Sequence, residues 1–214
     1  IAVGSGAAMN LAKTNDVDIL ITHSPANEIE FVEDGYAINR TTFAWNRFVL
    51  IGPNQLSGNL TESMSSLVLE NKCFISRGDS SGTHIKEQDV WRNVALVSNL
   101  SFINNELGYH PEWEGYQSIG QGMGAAITIA NELECWTLSD KGTALFRSNN
   151  IELMIQEFES PELVNPYSVL LLDNDKLSET TLFRDFLLNS ADLINNYTVS
   201  NQTLFESGIP LNSV

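Results

Sequence analysis

The sequence predicts an α/β fold with parallel sheets. Short apolar segments rich in β-branched residues, such as Asp18–Thr22 and Arg47–Ile51, alternate with amphipathic stretches of helical length, such as Thr83–Leu96. Glycine- and serine-bearing turns at Gly4–Ala8, Arg77–Thr83 and Gly120–Gly124 each open a helical segment. No repeat, low-complexity tract or Pro/Gly/Ser-rich linker divides the chain, so any two lobes must be joined by extended strands.

In order, Ile1–Val3 reads as the end of a buried strand, turned by Gly4-Ser5-Gly6 into a helix over Ala7–Lys13. Asp18–Thr22 is a strand and Asn27–Glu33 a helical turn. Arg47–Ile51 is a strand stopped by Gly52-Pro53, which cannot continue it. Gly58–Glu70 suits a helix, Cys73–Ser76 a strand, and Thr83–Leu96 a helix with Ile85, Val90, Trp91 and Val94 toward a core. Ser98–Glu114 reads as a polar loop or irregular helix, and Gly122–Leu133 as a helix. Cys135–Leu138 is a strand, after which Ser139-Asp140 caps a helix through Phe146. Ile151–Glu157 and Pro166–Leu172 are strands; Thr180–Asn189 and Asn201–Ser207 close the chain as helices.

The charge balance excludes one class of partner. There are 27 Asp and Glu against 11 Lys and Arg, a net charge of −16. A phosphate backbone would be repelled, so nucleic acid is not expected. There is no apolar run of about 18 residues, so no membrane insertion is expected. The 2 cysteines, Cys73 and Cys135, sit in apolar strand-like surroundings; the lack of a dense cysteine framework favours two free buried thiols over the alternative, a disulfide between them. With 3 histidines and no CxxC, no metal site or cofactor is expected. The N-x-[ST] sequons at Asn39, Asn59, Asn99, Asn196 and Asn201 are what an Asn- and Ser-rich chain yields by chance.

The segment Phe74-Ile75-Ser76-Arg77-Gly78-Asp79-Ser80-Ser81-Gly82-Thr83-His84 carries the chemistry. An apolar strand end runs through a polar turn into the first turn of a helix. Helix N-termini leave N–H groups unpaired and carry partial positive charge. Ser81 and Thr83 add hydroxyls, Gly82 admits a ligand close to the backbone, and Arg77 adds a cation, so the implied ligand is a small oxyanion. Asp79 is expected to bind N–H groups of its own turn and orient Arg77. Ser5 and Gly6 form a similar turn, which is also a common way for an α/β chain to change direction. Neither turn fits a nucleotide motif: a third glycine of G-x-G-x-x-G is absent, and so is GxxxxGK[ST]. Gly78-Asp79-Ser80-Ser81-Gly82 differs by one residue from a serine-protease sequence, but the α/β pattern and the surroundings of His23 argue against that chemistry. His23, at a strand end, could line the site or bond to local backbone; His110 reads as surface. Gly122 and Met123 open a third helix start facing either the ligand or a packing partner. The competing class is an enzyme or sensor domain for a phosphorylated or other anionic metabolite, with His23 as its base.

Ser76-Arg77-Gly78-Asp79-Ser80-Ser81-Gly82-Thr83-His84-Ile85-Lys86-Glu87, with Trp91 following, resembles the signature of TupA-type tungstate-binding proteins, the substrate-binding components of ABC importers. Gly4–Ala8, Asp16–Asp18, His23-Ser24-Pro25 with Glu28, Asn46-Arg47-Phe48, Gly120–Ala125, Ile129-Ala130-Asn131, Thr137–Thr143 and Asn165-Pro166-Tyr167-Ser168 extend the resemblance over nearly the whole chain. It implies a type II periplasmic-binding fold with lobe I over 1–71 plus 166–214, lobe II over 72–165, and crossings near Lys72–Phe74 and Asn165–Val169. It implies a monomeric, non-catalytic protein outside the cytoplasm that takes tungstate or molybdate by hinge closure and hands it to a permease subunit. Ser5 and Gly6 would donate from lobe I, and Arg77, Ser81, Gly82 and Thr83 from lobe II. The family's opening strand of lobe I, with its Thr/Ser-rich turn, has no counterpart in the sequence as given, and its GTGKA-like turn reads Gly4-Ser5-Gly6-Ala7-Ala8, without the lysine.

Overall fold

A computed structural model describes Ile1 and residues 3–14 and 17–210. The elements in chain order begin with α1 (Ser5–Lys13), β1 (Ile19–Thr22), α2 (Pro25–Glu33) and β2 (Asn39–Gly52). There follow α3 (Leu60–Leu69), β3 (Phe74–Ser76), α4 (Gly82–Val97), β4 (Phe102–Asn105), β5 (Gly108–Pro111), β6 (Tyr116–Ser118) and α5 (Met123–Leu133). Then come β7 (Thr137–Asp140), α6 (Lys141–Arg147), β8 (Met154–Gln156), β9 (Val164–Leu171), α7 (Leu177–Leu188), α8 (Ala191–Asn195), β10 (Thr198–Val199), β11 (Gln202–Thr203) and β12 (Glu206–Ser207).

The chain forms two compact units. One comprises Ile1–Asn46, Val164–Thr198 and Thr203–Val214; the other comprises Arg47–Leu163 with Val199–Gln202. The first passage between them falls inside the extended strand β2, at Asn46–Arg47, and the return falls at Leu163–Val164. The sequence reading divides the chain at 71/72 and 165/166.

The first unit is built on the strand order β1-β9-β2-β12, with β1 and β9 antiparallel in the register Ile19↔Leu171 to Thr22↔Ser168. Its core gathers Met9 and Ala12 of α1, Leu20, Phe31 of α2, Ala37, Leu170 and Leu172.

In the second unit the period-2 alternation of strands sends neighbouring residues to opposite faces. Phe48, Leu50, Phe74 and Leu138 pack with Leu60, Met64 and Leu67 of α3 and Val90, Trp91 and Val94 of α4. Val49, Ile51 and Ile75 pack on the other side with Ala126, Ile127 and Ala130 of α5 and Ala144 of α6. Asn59 caps α3 through a reciprocal capping box with Glu62. β3 runs parallel to β6, with Phe74↔Tyr116 to Ser76↔Ser118. It also runs parallel to the start of β7, where the Ile75 amide donates to the Trp136 carbonyl and the Trp136 amide to Cys73. All three strands thus point the same way, and each is followed by a helix.

Several sequence expectations are corrected. The sheets are mixed: β3 pairs in parallel, but β1–β9, β2–β12, β2–β7, β2–β8 and β4–β5 are antiparallel. Ile1 and Val3 are exposed and lie outside any strand, while Ala2 is outside the described residues. The stretch 98–114 holds the β4–β5 hairpin, because Asn105 Oδ1 accepts the Leu107 amide, Gly108 adopts φ +97°, and Phe102 stacks on Tyr109 with 5.3 Å between centroids. The stretch 201–207 is β structure, since Ser200 and Asn201 take φ of 50° and 62°, which closes a tight hairpin and is incompatible with a helix. Ile85 faces solvent on α4. Cys73 and Cys135 form a disulfide: the backbone bonds between β3 and the approach to β7 hold their Cα atoms 4.9 Å apart.

Candidate functional site

The second unit places three helix N-termini after three parallel strands: β3 leads to α4, β6 to α5 and β7 to α6. Crevices at the carboxyl ends of strands are where α/β sheets bind ligands. The Arg77–Ser81 turn depends on two left-handed residues, Gly78 at φ +59° and Ser80 at φ +56°. A side chain at Gly78 would also collide with Ser118 Oγ, only 1.8 Å from an added Cβ. Next to Gly82, by contrast, an added Cβ would meet nothing within 4 Å, so the first turn of α4 is open to a ligand.

Asp79 organises this turn. It accepts from Arg77 Nε at 3.1 Å and Nη2 at 2.5 Å, and from the Ser81 amide at 3.2 Å. Burial pushes its carboxyl upward, but the bonds from Ser81 and Arg77 and the guanidinium charge prevail, holding it below the usual range. The Arg77–Asp79 pair therefore stays ionised and is neutral as a unit. Arg77 Nη1 also reaches Thr83 Oγ1 at 3.4 Å. Ser81 is the N-cap of α4, its Oγ accepting the His84 amide at 3.4 Å. The ring of His84 accepts the Ser80 amide on Nδ1 at 3.1 Å, so Nε2 carries the proton and donates to the Leu107 carbonyl at 3.1 Å. His84 is thereby a brace of the turn.

The Gly120–Gly122 turn is bonded to the Arg77 turn. The Gln121 amide donates to the Arg77 carbonyl and the Ile119 amide to Ser76, both at 3.1 Å. Gly122 caps α5 without any side-chain bond, which leaves first-turn amides free of an internal acceptor. The Met123 side chain is buried in the core, so this residue offers only its backbone amide. Asp140 caps α6 by accepting the Thr143 amide at 2.8 Å.

In the first unit Gly4 caps α1 without a side-chain bond, no acidic residue occupies the first turn, and Gly6 has open space around it. Ser5 Oγ accepts the backbone amide of His23 at 3.4 Å, which brings the end of β1 beside the helix start. His23 does not bond to local backbone through its ring. Nδ1 meets Asn165 Oδ1 at 3.0 Å, and the ring stacks on Tyr167 at 5.1 Å. Asn165 Nδ2 donates to Asn46 Oδ1 at 2.9 Å and to the Tyr167 hydroxyl at 3.2 Å. Glu28, fully buried, accepts from Thr22 Oγ1, the Ser24 amide and Arg40, and so fixes the loop that holds His23.

Two groups escaped the sequence reading. The imidazole of His110 is buried, stacked on Tyr116 at 4.0 Å, where a surface position is expected. Glu87, one turn along α4 from Thr83, accepts from the Tyr116 hydroxyl at 2.8 Å. Burial pushes its carboxyl up to about 7 against the bond of Tyr116, with the negative charge of Asp79 adding to the rise. The helical offset of Glu87 from Val90, Trp91 and Val94 carries the signal, since i+3, i+4 and i+7 share one face.

Known proteins match this chain along most of its length. The profile of the PBP superfamily domain matches residues 1–190. A tungstate-binding protein TupA of Campylobacter jejuni is 33% identical over 96% of this chain and 78% of its own. One of Peptoclostridium acidaminophilum is 33% identical over 82% of this chain and 60% of its own, so the chain spans three fifths of that relative's length. The structure of the tungstate-binding protein TupA from Desulfovibrio alaskensis superposes with a TM-score of 0.82 at 26% identity, covering 98% of this chain and 86% of that one.

Proposed function

We propose the following role for this chain, which belongs to the PBP superfamily, in the family of the TupA tungstate-binding proteins: it is a substrate-binding component that captures a tetrahedral oxyanion for an ABC importer. The observation that carries this reading is the Arg77–Thr83 turn. It presents a guanidinium, two hydroxyls and an open helix N-terminus at the end of one of three parallel strands that each lead into a helix. Arg77, Ser81, Gly82 and Thr83 donate to the anion, joined by the amides of Gly122 and Met123; Ser5, Gly6 and His23 are the donors of the first unit. Tungstate is the ligand, with molybdate as its near-isosteric competitor. A buried dianion needs a donor for each lone pair, and backbone amides at helix starts supply them without extra net charge.

The reading includes no catalysis, a location outside the cytoplasm, a monomeric state and a permease subunit as partner. Among the described residues no helix is long and apolar enough to cross a membrane, and no cluster of His, Cys, Asp and Glu suits a metal ion. Calorimetric titration with tungstate, molybdate, sulfate and phosphate tests the proposal. Tungstate and molybdate are expected to bind, and tungstate at 100 times its Kd to stabilise the fold by about 2.7 kcal/mol. Absence of heat and of any thermal shift with all four anions would refute it.

A further inference from the structure

We infer that an oxyanion at the start of α4 loads a proton onto Glu87, the buried carboxyl one turn further along the same helix. Glu87 is then a proton site coupled to the anion site. The inference rests on the binding function proposed above and adds this coupling to it. Every group it uses lies in the second unit.

Glu87 stands four residues beyond Thr83, so the two share a face of α4. Its side chain is buried and, among the described residues, makes no ion pair. It accepts the Tyr116 hydroxyl at 2.8 Å. A buried carboxylate without a cation is costly, so burial favours its neutral form. Burial raises its pKa to about 7 and the charge of Asp79 adds to the rise, so the carboxyl already senses charge at the turn. A dianion held by Ser81, Gly82 and Thr83 brings two more negative charges to that turn and drives the carboxyl further toward its neutral form. By linkage, the proton then strengthens anion binding by the same factor.

The other groups around α4 are less suited to take the proton. Asp79 starts below the usual range and is paired with Arg77, so it stays ionised at pH 8. His84 has both ring nitrogens engaged, by the Ser80 amide and the Leu107 carbonyl. On β6, burial and the charge of Glu87 push the Tyr116 hydroxyl upward, so it remains a neutral donor. On β5, His110 Nδ1 meets the Pro111 carbonyl at 2.8 Å, and a proton on its buried, unpartnered Nε2 would be an unpaired charge. Lys86 lies over the ring of Phe48, 5.9 Å from its centroid; burial lowers its pKa, while Asp89 and Glu162 favour its charged form. Asp89 itself pairs with Arg92. α3 and β7 meet α4 with Leu60, Met64, Leu67, Trp136 and Leu138, none of which ionises.

Calorimetry with sodium tungstate at pH 8, in buffers of different ionisation enthalpy, measures the protons exchanged. Net uptake is expected for the native protein. Its affinity should fall as pH rises above about 7, by about tenfold for each unit by which the anion raises the Glu87 pKa. Glu87→Gln mimics the protonated carboxyl; it should lose the uptake and bind tungstate more tightly than the native protein at pH 8.5. Tyr116→Phe keeps the ring that stacks on His110 but removes the hydrogen bond that favours the ionised form. Its uptake should persist and be greatest at a higher pH than in the native protein. Tungstate binding without proton uptake, uptake that survives in Glu87→Gln, or an uptake profile unmoved by Tyr116→Phe each overturns the coupling while leaving the binding function standing. A native protein that binds no tungstate overturns the binding function itself.

Discussion

Arg77 illustrates how a single residue serves two roles that pull in opposite directions. In its part-buried ion pair with Asp79, Nε and Nη2 both donate to the one oxygen Oδ2, and this convergence fixes the guanidinium plane at the turn. Arg77→Lys keeps the charge but loses the fork, so tungstate affinity should fall by about tenfold or more in calorimetry; an unchanged Kd would mean that Arg77 does not touch the anion. Glu87 gives a prediction of different kind. Its folded pKa is raised from 4.5 to about 7, so the folded state holds its proton more tightly than the unfolded chain. The contribution of Glu87 to stability is therefore fully present below about 4.5, falls as pH rises, and is lost above about 7, a change of about 3 kcal/mol in all. Glu87→Gln should remove that slope, making the variant the more stable protein at pH 8 and nearly equal at pH 4.5. Denaturant unfolding at the two pH values measures it.

At the scale of elements, the helix starts matter most. Ser81→Ala removes the cap of α4 and should cost about 1 kcal/mol of stability by thermal unfolding, besides a donor hydroxyl at the anion. The sequence made these starts legible because capping and turn residues act locally: Asp140 caps α6 as expected, and α4 and α5 begin at Gly82 and Met123, one residue from the expected Thr83 and Gly122. What stayed hidden depends on tertiary partners. The β4–β5 hairpin is polar in composition and is held by Asn105, Gly108 and packing on α4. The orientation of His23 rests on Asn165, 142 residues away, and no local pattern announces such a pairing. Ser200 and Asn201 at positive φ likewise turn a helix-like stretch into a hairpin. The disulfide is hidden for the same reason, since Cys73 and Cys135 meet only through the alignment of β3 with β7.

For the molecule as a whole, the net charge of −16 sets the conditions under which it works. Like charges repel one another in the folded state and repel an incoming dianion. Raising ionic strength from about 0.01 M to about 0.15 M shortens the screening length from about 30 Å to about 8 Å. The melting temperature should rise, and the association rate of tungstate in stopped flow should increase with salt, the reverse of ordinary electrostatic steering. A rate that falls with salt would show that local positive potential at the helix starts outweighs the acidic field.

The Cys73–Cys135 bond also gives the second unit a covalent topology that outlasts damage to the backbone. The bridge spans 62 residues, and β6, α4, α5 and the β4–β5 hairpin all lie within that span. A protease that cuts the exposed tip at Asn105–Leu107 produces two polypeptides that remain one particle. On a gel the nicked protein should run as a single band until a reductant is added, and then separate into two. The same cut in a reduced chain would leave only non-covalent packing to hold the pieces together.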